Sequence, residues 1–474
     1  MLFLALVLVS PLLGLLALVF PSERLRPWLL PLGGVVHGAL TLAALVQPSP
    51  PLGGYLALDA MGKLMLGFES LLFGLCTIYA PGYLRHVRER PNRLFVACIL
   101  GFSGAMSLII LSHHLGLMWV GLESATLCTA PLLYFHQTAR SLEAVWKYLL
   151  VGSVGIALAL LGTLFLAYAA LHSNLPPSLM LEDMVREAPR LSKPWLNAAF
   201  VLLFVGYGTK MGLAPMHTWK PDAYGEAPGV VGALLAGGLT NCAFLAIFRF
   251  YRIVSSAGEA GFARELMVAT GLLSMFVAAV FMARQRDYKR LLAYSSVEHM
   301  GILILGLGLG GNAIFGSLLH FINNGLTKGV LFLSVANIHR AFGTKLVENT
   351  HGAIRLVPAS GALFLLGFFA ITGSPPFGPF VSEFTILDAA VGAGRYGVVA
   401  LFLLLLVIIF MGMGATVLSV VLGEPSKTTT DGPETPLTVV PVAIFLVLVL
   451  ILGLYIPPPL QALIREAAVL EGNP

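Results

Sequence analysis

The chain has 474 residues, of which 57% are hydrophobic and 11% charged, and its mean hydropathy is +0.88. An ordinary soluble domain has roughly 25% charged residues, so this composition excludes a water-soluble fold and indicates a polytopic membrane protein. The net charge of +5 comes from Lys and Arg residues spread over short loops, which excludes a concentrated basic surface for nucleic acid.

Apolar runs in the sequence predict the transmembrane helices. Runs of about 20 residues, the length that crosses the hydrocarbon as a helix, occur about fourteen times. The first is MLFLALVLVSPLLGLLALVF and the last is LTVVPVAIFLVLVLILGLYI. The first run has no basic n-region and continues into PSERLRP rather than a cleavage site, so we interpret it as helix and not as a signal peptide. The expected fold is an all-α polytopic membrane protein with predicted spans numbered 1 to 14.

No soluble domain fits between the predicted spans, so the boundaries are expected between groups of helices. The predicted units are spans 1 to 3 at residues 1–90, spans 4 to 8 at 91–255, spans 9 to 13 at 262–423, and span 14 with the tail at 435–474. The two middle units are predicted to be repeats, because each contains one broken span at a comparable place.

The broken spans are 7 and 12, with the sequences GTKMGLAPMHTW and ITGSPPFGPFVSEF. A proline inside a helix lacks its N–H and clashes with the carbonyl four residues earlier. Pro215 should therefore leave the carbonyl of Met211 without its helical hydrogen bond. Pro375 and Pro376 should do the same for the carbonyls of Ile371 and Thr372. Free carbonyls at membrane depth occur where they are buried in protein or line a wet cavity. Paired breaks in two halves of a chain indicate a transport path between them.

Ionisable residues inside the predicted spans form a series along the chain. Each costs roughly 2.5 to 3.5 kcal/mol near the bilayer centre even on lenient insertion scales. They are Glu123 in span 5, Lys210 in span 7, His320 and Lys328 in span 11, and Glu383 in span 12. Acid, base and imidazole alternate, which favours a proton path over a set of static ion pairs, although any one Lys–Glu pair could simply join two helices.

Spacing adds further candidates. His320, Asn324 and Lys328 lie four residues apart and so share one helix face, along which a proton or an ordered file of water could pass. Glu298 and His299, in AYSSVEHMGIL, are predicted to begin span 10 as capping or relay groups.

Other polar residues allow more than one interpretation. His217, beside the break in span 7, either caps a loop or takes part in function. Glu69 in span 3 has no break nearby, and a buried partner, a neighbouring subunit and a proton path are equally consistent with it. His113 and His114 are expected to be interfacial and solvated.

The four cysteines and the basic loops carry simpler information. Cys76, Cys98, Cys128 and Cys242 all fall in apolar spans without a CxxC pair, which indicates neither an iron–sulfur cluster nor a zinc site. The odd-numbered loops hold most of the Lys and Arg, including RHVRERPNR and ARQRDYKR. The positive-inside rule then predicts odd loops in the cytoplasm and both termini on the opposite side.

Five ordered motifs carry a resemblance to a known family. They are EAVWKYLLVGSVG, TKMGLAPMHTWKPDA, DYKRLLAYSSVEHMG, HFINNGLTKGVLFL and GSPPFGPFVSEFTIL. The chain resembles the antiporter-like proton-translocating subunits found in the membrane arm of respiratory complex I, in membrane-bound group 4 hydrogenases and in multisubunit cation/proton antiporters. The combination AYSSVEHMG with GSPPFGPFVSEF looks most like the hydrogenase-4 (formate hydrogenlyase) type of membrane subunit, similar to component F.

The resemblance implies a fourteen-helix fold of two inverted five-helix repeats with broken helices 7 and 12. It also implies roles for the candidate residues. Glu123 and Lys210 match the family pair that adjusts proton affinity, His320 and Lys328 match the relay of helix 11, and Glu383 matches the acidic or basic position of helix 12. The first motif supplies Glu143 and Lys147 as accessory residues.

Two positions depart from the family pattern. Asn241 occupies the place of a lysine in helix 8 that many members carry, and Asn324 occupies the place of a second histidine in helix 11. Asparagine cannot take up a proton, so the middle of the path would have to use water or His320, or the subunit would transport weakly.

The expected function is a proton-translocating subunit of a multisubunit redox complex in a prokaryotic cell (inner) membrane. The expected partners are other membrane and peripheral subunits, the lipid bilayer and protons, or Na⁺ as the coupling ion. No nucleotide loop, nucleophile, haem-ligand pair or metal cluster is recognisable, so we expect no cofactor, no metal and no bond chemistry in this chain. A cation/proton antiporter subunit and a non-conducting scaffold are the alternatives.

Overall fold

The computed structural model describes residues 1–47, 50–87, 90–425 and 434–469. Nearly all of these residues are helical, and strand pairing within them is confined to isolated bridges such as that between Leu56 and Ser112. The predicted all-α class is confirmed. The last five residues of the predicted C-terminal tail lie outside the described part of the chain.

The helices up to the first break run in chain order without a soluble insertion. They are α1 (Leu2–Val19), α2 (Leu29–Val46), α3 (Ala60–Leu84), α4 (Arg93–Leu111), α5 (Leu115–Leu133), α6 (Ala139–His172), the short α7 (Leu181–Glu187) and α8 (Lys193–Met211).

The remaining helices follow in the same way. They are α9 (Trp219–Glu226), α10 (Gly229–Leu234), α11 (Thr240–Ser256), α12 (Ala260–Met282), α13 (Tyr288–Leu309), α14 (Asn312–Phe342), α15 (Ala353–Leu356), α16 (Pro358–Ile371), α17 (Gly378–Gly392), α18 (Tyr396–Val421), α19 (Pro436–Leu454) and α20 (Pro458–Ala468). A π-helical turn, Leu235–Leu239, joins α10 to α11 into one continuous rod.

Eleven helical segments of the described residues are long and apolar enough to cross a membrane. The chain is therefore a multi-pass membrane protein, while the count of fourteen is not confirmed. Predicted spans 7, 11 and 12 correspond to α8, to α14 and to the pair α16 and α17, which are not among the eleven. The buried His, Lys and Asn side chains of α14 lower its hydropathy, and the break leaves α16 and α17 short.

Local signals explain several helix starts. Asp59 precedes α3 and accepts a hydrogen bond from the N–H of Gly62, and Asp287 precedes α13 and accepts one from the N–H of Lys289. Thr138 begins α6 with a capping box. These side chains satisfy N–H groups that have no partner inside the helix.

The rod of α10 and α11, together with α13 and α14, forms the centre of the molecule. The rod of α10 and α11 and the helix α13 are entirely buried over their apolar windows, and almost every residue of α14 is buried as well. The remaining helices surround them and present Leu, Val, Ile and Phe side chains outward. A helix that is buried all round must find partners for its polar groups inside the protein, so the central helices are where a polar path can lie.

Packing follows a similar order in the two halves. In the first half α4 packs on α5, α5 on α6 and α6 on α8; in the second half α12 packs on α13, α13 on α14, and α14 on α16 and α17. The halves meet where α9 packs on α13 and α10 packs on α14. The division into two repeats with the predicted boundaries stays a prediction.

The two proline sites coincide with interruptions of the helices. α8 ends at Met211 and α9 begins at Trp219, with Pro215 between them. α16 ends at Ile371 and α17 begins at Gly378, with both prolines of the second motif between them. Each interruption leaves carbonyl groups at the end of a helix without a partner in that helix, and side chains from elsewhere approach them.

Helices α6 and α8 pack at backbone distance. A Cβ atom added at Gly155 would lie 2.6 Å from Cβ of Thr209, and one at Gly162 would lie 2.7 Å from Cγ of Leu203. Small residues at helix contacts in membranes allow this close approach. The contact fixes α8, and with it the residues just before the first interruption, against the face of α6.

Candidate functional site

The last turn of α8 carries Lys210, which contacts an acidic residue of α5. Its Nζ lies 3.3 Å from Oε2 of Glu123 and donates a hydrogen bond of 2.6 Å to Oγ1 of Thr126. The Lys210 side chain is 1% exposed, whereas that of Glu123 is 23% exposed. The two residues that the family resemblance joins thus form one ion pair between α5 and α8.

An aromatic wall encloses the lysine of this pair. The Lys210 ammonium lies 5.9 Å from the ring centroid of Tyr148, whose hydroxyl bonds Thr129 at 2.6 Å. The Tyr148 ring packs at 5.1 Å against Trp219, the first residue after the interruption. Trp219 in turn donates its Nε1–H to the carbonyl of Thr209 at 2.8 Å. The ammonium therefore has polar partners on one side and π faces on the other.

The carbonyl that Pro215 was predicted to free is occupied by a second lysine. Nζ of Lys220, in α9, donates to the Met211 carbonyl at 2.7 Å and to Oγ of Ser296, in α13, at 3.0 Å. The side chain is fully buried. The sequence reasoning missed Lys220, because HTWKPD reads as a polar loop; the signal that could have found it was the unpartnered carbonyl, which requires a donor.

In the second half Lys328 is held in a comparable way. Its Nζ lies 2.8 Å from Oγ of Ser295, and the side chain is fully buried. Glu298, one turn further along α13, lies close enough for its charge to act on Lys328. Glu298 and His299 do not begin a helix as predicted, since α13 begins at Tyr288 and both lie buried within it. This excludes the capping role for them and leaves the relay role.

Two histidines continue the polar chain from α13 to α17. Nδ1 of His299 lies 3.0 Å from Nε2 of His320, and Nδ1 of His320 lies 2.9 Å from Oγ of Ser382. His299 also lies close to the carbonyl of Ile371, at the end of α16 before the second interruption. Because each neutral imidazole offers one donor and one acceptor nitrogen, this arrangement can pass a proton along its length.

Glu383 lies beside these histidines and against the second interruption. It is buried, and its Oε2 fills the space where a Cβ at Gly373 would lie, which only a glycine leaves open. Donor atoms of His299, His320 and Glu383 lie within 4.8 Å of one another, a set of ligand types that suits a transition metal. The facing nitrogens of the two histidines lie within hydrogen-bond distance of each other, an arrangement that can also pass a proton.

The two asparagines that depart from the family pattern occupy different environments. Nδ2 of Asn241 donates to the carbonyl of Gly237 at 2.7 Å, inside the π-helical turn. The amide of Asn324 is buried and has no hydrogen-bond partner among the described residues. Asn241 thus bonds the backbone of its own helix and also lies 3.5 Å from the Phe321 carbonyl of α14, while Asn324 lies unpaired between His320 and Lys328 on the face of α14.

The accessory residues Glu143 and Lys147 lie at the surface and not beside the buried series. Lys147 bonds Glu143 at 2.6 Å and Asp222 at 2.8 Å. Asp222 also pairs with Arg290 at 3.0 Å. These four residues line a polar cavity of about 500 Å³ that leads toward α9 from outside.

His217 lies within the first interruption. Its ring is nearly buried and stands 6.3 Å from that of Tyr294, and its Nδ1 has no hydrogen-bond partner among the described residues. Its carbonyl accepts from the N–H of Lys220 at 2.9 Å. The backbone of His217 thus helps to begin α9, and its side chain remains open to either predicted role.

Glu69 has a buried partner, one of the alternatives left open by the sequence. Its Oε2 lies 3.4 Å from Nε2 of His37, in α2, and His37 also bonds Ser70 and Ser107 at 3.1 and 2.9 Å. Glu69 also lies near Cys242, in the central rod of α10 and α11. His37 was missed, since a single histidine in an apolar run carries no spacing signal.

Comparisons with known proteins agree with this architecture. The sequence profile described as NADH:quinone oxidoreductase/Mrp antiporter, transmembrane, matches residues 112–412. The chain is 34% identical over 482 residues to a hydrogenase-4 component F homolog of Methylacidiphilum infernorum, covering 98% of this chain and 99% of that protein. It is 30% identical over 358 residues to NADH-quinone oxidoreductase subunit N of Desulforudis audaxviator, covering 74% and 69%. A solved chain of respiratory complex I from Thermus thermophilus superposes with a TM-score of 0.79 at 28% identity, covering 96% of this chain and 97% of that one.

Proposed function

The chain belongs to the NADH:quinone oxidoreductase/Mrp antiporter transmembrane family, and on this basis we propose that it is a proton-translocating membrane subunit of a multisubunit redox complex. Its relatives are a hydrogenase-4 component F homolog and a subunit N of NADH-quinone oxidoreductase. In this proposal electron transfer takes place in partner subunits, and this chain supplies the path for the proton.

The contact that supports the proposal most directly is the 3.3 Å pair of Lys210 and Glu123 beside the first interruption. A buried lysine whose acidic partner remains partly exposed can change its proton occupancy when the partner moves or is neutralised. An ionised Glu123 within reach favours protonated Lys210, and withdrawal of that charge favours release of the proton. The proton then moves toward Lys328 and Glu383.

The second half provides the continuation of this path. Lys328, His320 and Glu383 lie on α14 and α17, and Glu298 and His299 lie between them on α13. No redox cofactor or metal is assigned to these residues in the proposal, because each of them is explained by holding or passing a proton.

The basic loops support an orientation of the chain in the membrane. By the positive-inside rule the proposed orientation has the odd-numbered loops in the cytoplasm and both termini on the other side. The polar cavity at Asp222 and Arg290 then lies on the cytoplasmic side, where protons would be taken up. The membrane is the inner membrane of a bacterium or the cell membrane of another prokaryote.

Proton pumping by the intact complex in sealed vesicles tests the proposal, with redox turnover recorded in parallel. Lys210→Ala should lose pumping while the complex assembles. The matched control is Lys193→Ala, because Lys193 lies at the other end of the same helix, is 58% exposed and pairs with Glu259 at the surface. Full pumping by Lys210→Ala at normal assembly would favour a structural scaffold instead.

A cation/proton antiporter subunit is the second candidate, because the family description covers Mrp antiporters as well. The two functions differ in their energy source. Pumping by purified complex that requires a sodium gradient, and that proceeds without an electron donor, would favour the antiporter. Pumping that starts with the electron donor in sodium-free buffer would favour the redox complex.

A further inference from the structure

Lys220 is a buried lysine without an acidic partner. Its side chain is fully buried, and no carboxylate lies within 4.0 Å of its Nζ among the residues that the structure describes. Its neighbours are the Met211 carbonyl at 2.7 Å, the Ser296 hydroxyl at 3.0 Å and the ring of Tyr224 at 5.8 Å. A buried ammonium without a counterion is costly, so a group kept in this position has a use that a methionine or leucine would not serve.

The position of Lys220 links the two halves of the molecule. It lies on α9 directly after the first interruption and bonds the carbonyl of the residue that follows Lys210. Across from it, Ser296 belongs to α13 and lies next to Ser295, whose hydroxyl bonds Lys328 at 2.8 Å. Two consecutive serines therefore hold two lysines from opposite halves.

The surrounding backbone leaves room for this side chain. Gly212 has φ +78°, and a Cβ added there would lie 2.5 Å from Cδ of Lys220 and 2.9 Å from its Nζ. Asn241 approaches the second half, since its Nδ2 lies 3.5 Å from the Phe321 carbonyl, but a carboxamide cannot take up a proton and so cannot replace Lys220 as a carrier. The described residues between the halves thus offer Lys220 as a group that can take up and release a proton.

We propose that Lys220 carries the proton between the two halves, receiving it from the Lys210 side and passing it through Ser296 and Ser295 to Lys328. The neutral amine of Lys220 takes up a proton and becomes an ammonium. The Ser296 hydroxyl accepts this proton as it gives up its own. Because side chains at consecutive positions of a helix do not face each other, a bridging water carries that proton to the Ser295 hydroxyl, which passes one on to the amine of Lys328. Lys220 returns to the neutral amine, Lys328 becomes the ammonium, and the serines end unchanged. This inference depends on the proposed proton-translocating function.

Substitution of Lys220 by arginine separates a carrier from a structural donor. Arginine keeps the charge and can donate to the Met211 carbonyl and to Ser296, but it cannot release a proton in a protein. A purely structural role predicts that Lys220→Arg pumps and Lys220→Met does not. A carrier role predicts that both variants lose pumping, while Lys220→Arg assembles as the wild type does.

The experiment measures protons translocated per electron transferred by the intact complex in sealed vesicles, at equal amounts of assembled complex. Lys220→Arg, Lys220→Met, Ser296→Ala and Ser295→Ala are compared with Lys210→Ala. The control for a lost buried lysine is Lys289→Met, since Lys289 is buried in the same helix as the serines and donates to the Ala227 carbonyl at 2.7 Å. The control for a lost buried hydroxyl is Ser334→Ala, whose hydroxyl bonds a carbonyl of its own helix.

The expected result is loss of pumping in both Lys220 variants, a reduced proton-to-electron ratio in both serine variants, and wild-type ratios in both controls. Wild-type pumping by Lys220→Arg together with loss in Lys210→Ala would overturn the inference and leave the proposed function standing. Wild-type pumping by Lys210→Ala and Lys220→Arg alike would overturn both. If the Lys220 variants do not assemble, full ratios in both Ser296→Ala and Ser295→Ala would overturn the inference.

Discussion

Nζ of Lys210 lies 3.3 Å from Oε2 of Glu123, and the lysine is buried while the acid is partly exposed. The two side chains come from α8 and α5, which are held together mainly through α6. The lysine also bonds Thr126, so it keeps one neutral partner if the acid withdraws. In the proposed function, this asymmetry makes Glu123 the group whose position or charge can change, and Lys210 the group whose proton occupancy responds to that change.

Replacing Glu123 by glutamine tests that assignment. Glutamine keeps an oxygen acceptor at the same length but removes the charge, so protonated Lys210 loses a charge-assisted hydrogen bond of about 1.5 to 3 kcal/mol. We expect Glu123→Gln to reduce pumping in vesicles severely, though the complex should assemble normally. Glu265→Gln, which removes an exposed acid that pairs with Arg395, should leave the rate unchanged. Equal pumping by the two variants would contradict a role for the charge of Glu123.

Gly212→Ala tests the space that is kept for Lys220. Alanine at φ +78° costs roughly 1 to 2 kcal/mol in backbone strain, and its Cβ would also overlap the lysine side chain. We expect a lower Tm in detergent and a loss of pumping. Gly258→Ala is the matched control, because φ is +79° there and a Cβ would meet nothing within 4 Å. A Tm decrease no larger than in this control would show that the overlap has no effect.

Acid sensitivity is expected from a cluster outside the spans. Burial acts to raise the pKa of Asp59, but the charges of Arg249 and His113 and the Gly62 N–H together hold that pKa below its usual value. Burial, with the nearby Arg249, lowers the pKa of His113 to about 4. Both groups bind fewer protons in the folded state than in the unfolded state. The contribution of His113 is therefore fully present above about pH 6.5 and is lost as the pH falls toward about 4, whereas the contribution of Asp59 is present above about pH 4 and is lost below it.

The check is the Tm of the purified protein in detergent at neutral and acidic pH. The decline below about pH 6.5 should be smaller in His113→Gln, because glutamine does not titrate. Parallel declines in the variant and the wild type would rule out His113 as the source. The same cluster corrects a sequence expectation, since His113 was predicted to be solvated and is 6% exposed, 3.9 Å from Asp59.

Much of the architecture was predictable, because composition and apolar run length decide the class and proline decides where a membrane helix stops. The interruptions at Pro215 and at Pro375 fall where the sequence placed them. The pairing of Glu123 with Lys210 was not derivable from spacing, since 87 positions separate the two residues and the family resemblance alone joined them. The start of α13 was predicted too late in the chain. The helix begins at Tyr288, so Glu298 lies within it and not at its first turn.

Functional candidates without a spacing signal could not be predicted from the sequence. Lys220 lies between a tryptophan and a proline in a polar string, where a lysine two positions from an acid normally faces water. Its burial arises because α9 turns back against α13, a contact between segments far apart in the chain. Glu143 and Lys147, which the motif match supplied as accessory residues, form a surface pair at the polar cavity, and their accessory role stays a prediction. Sequence pattern identifies which groups are polar, and the tertiary path of the chain decides which of them are enclosed.

The glycine at position 152 has a mechanical consequence. A Cβ there would lie 2.9 Å from Nζ of Lys210, so the ammonium rests directly on the bare backbone of α6. Backbone atoms of a packed helix have no alternative rotamers, so the α6 side of the site is rigid. Any side chain at position 152 would occupy the place of the ammonium, so the space for Lys210 depends on this glycine.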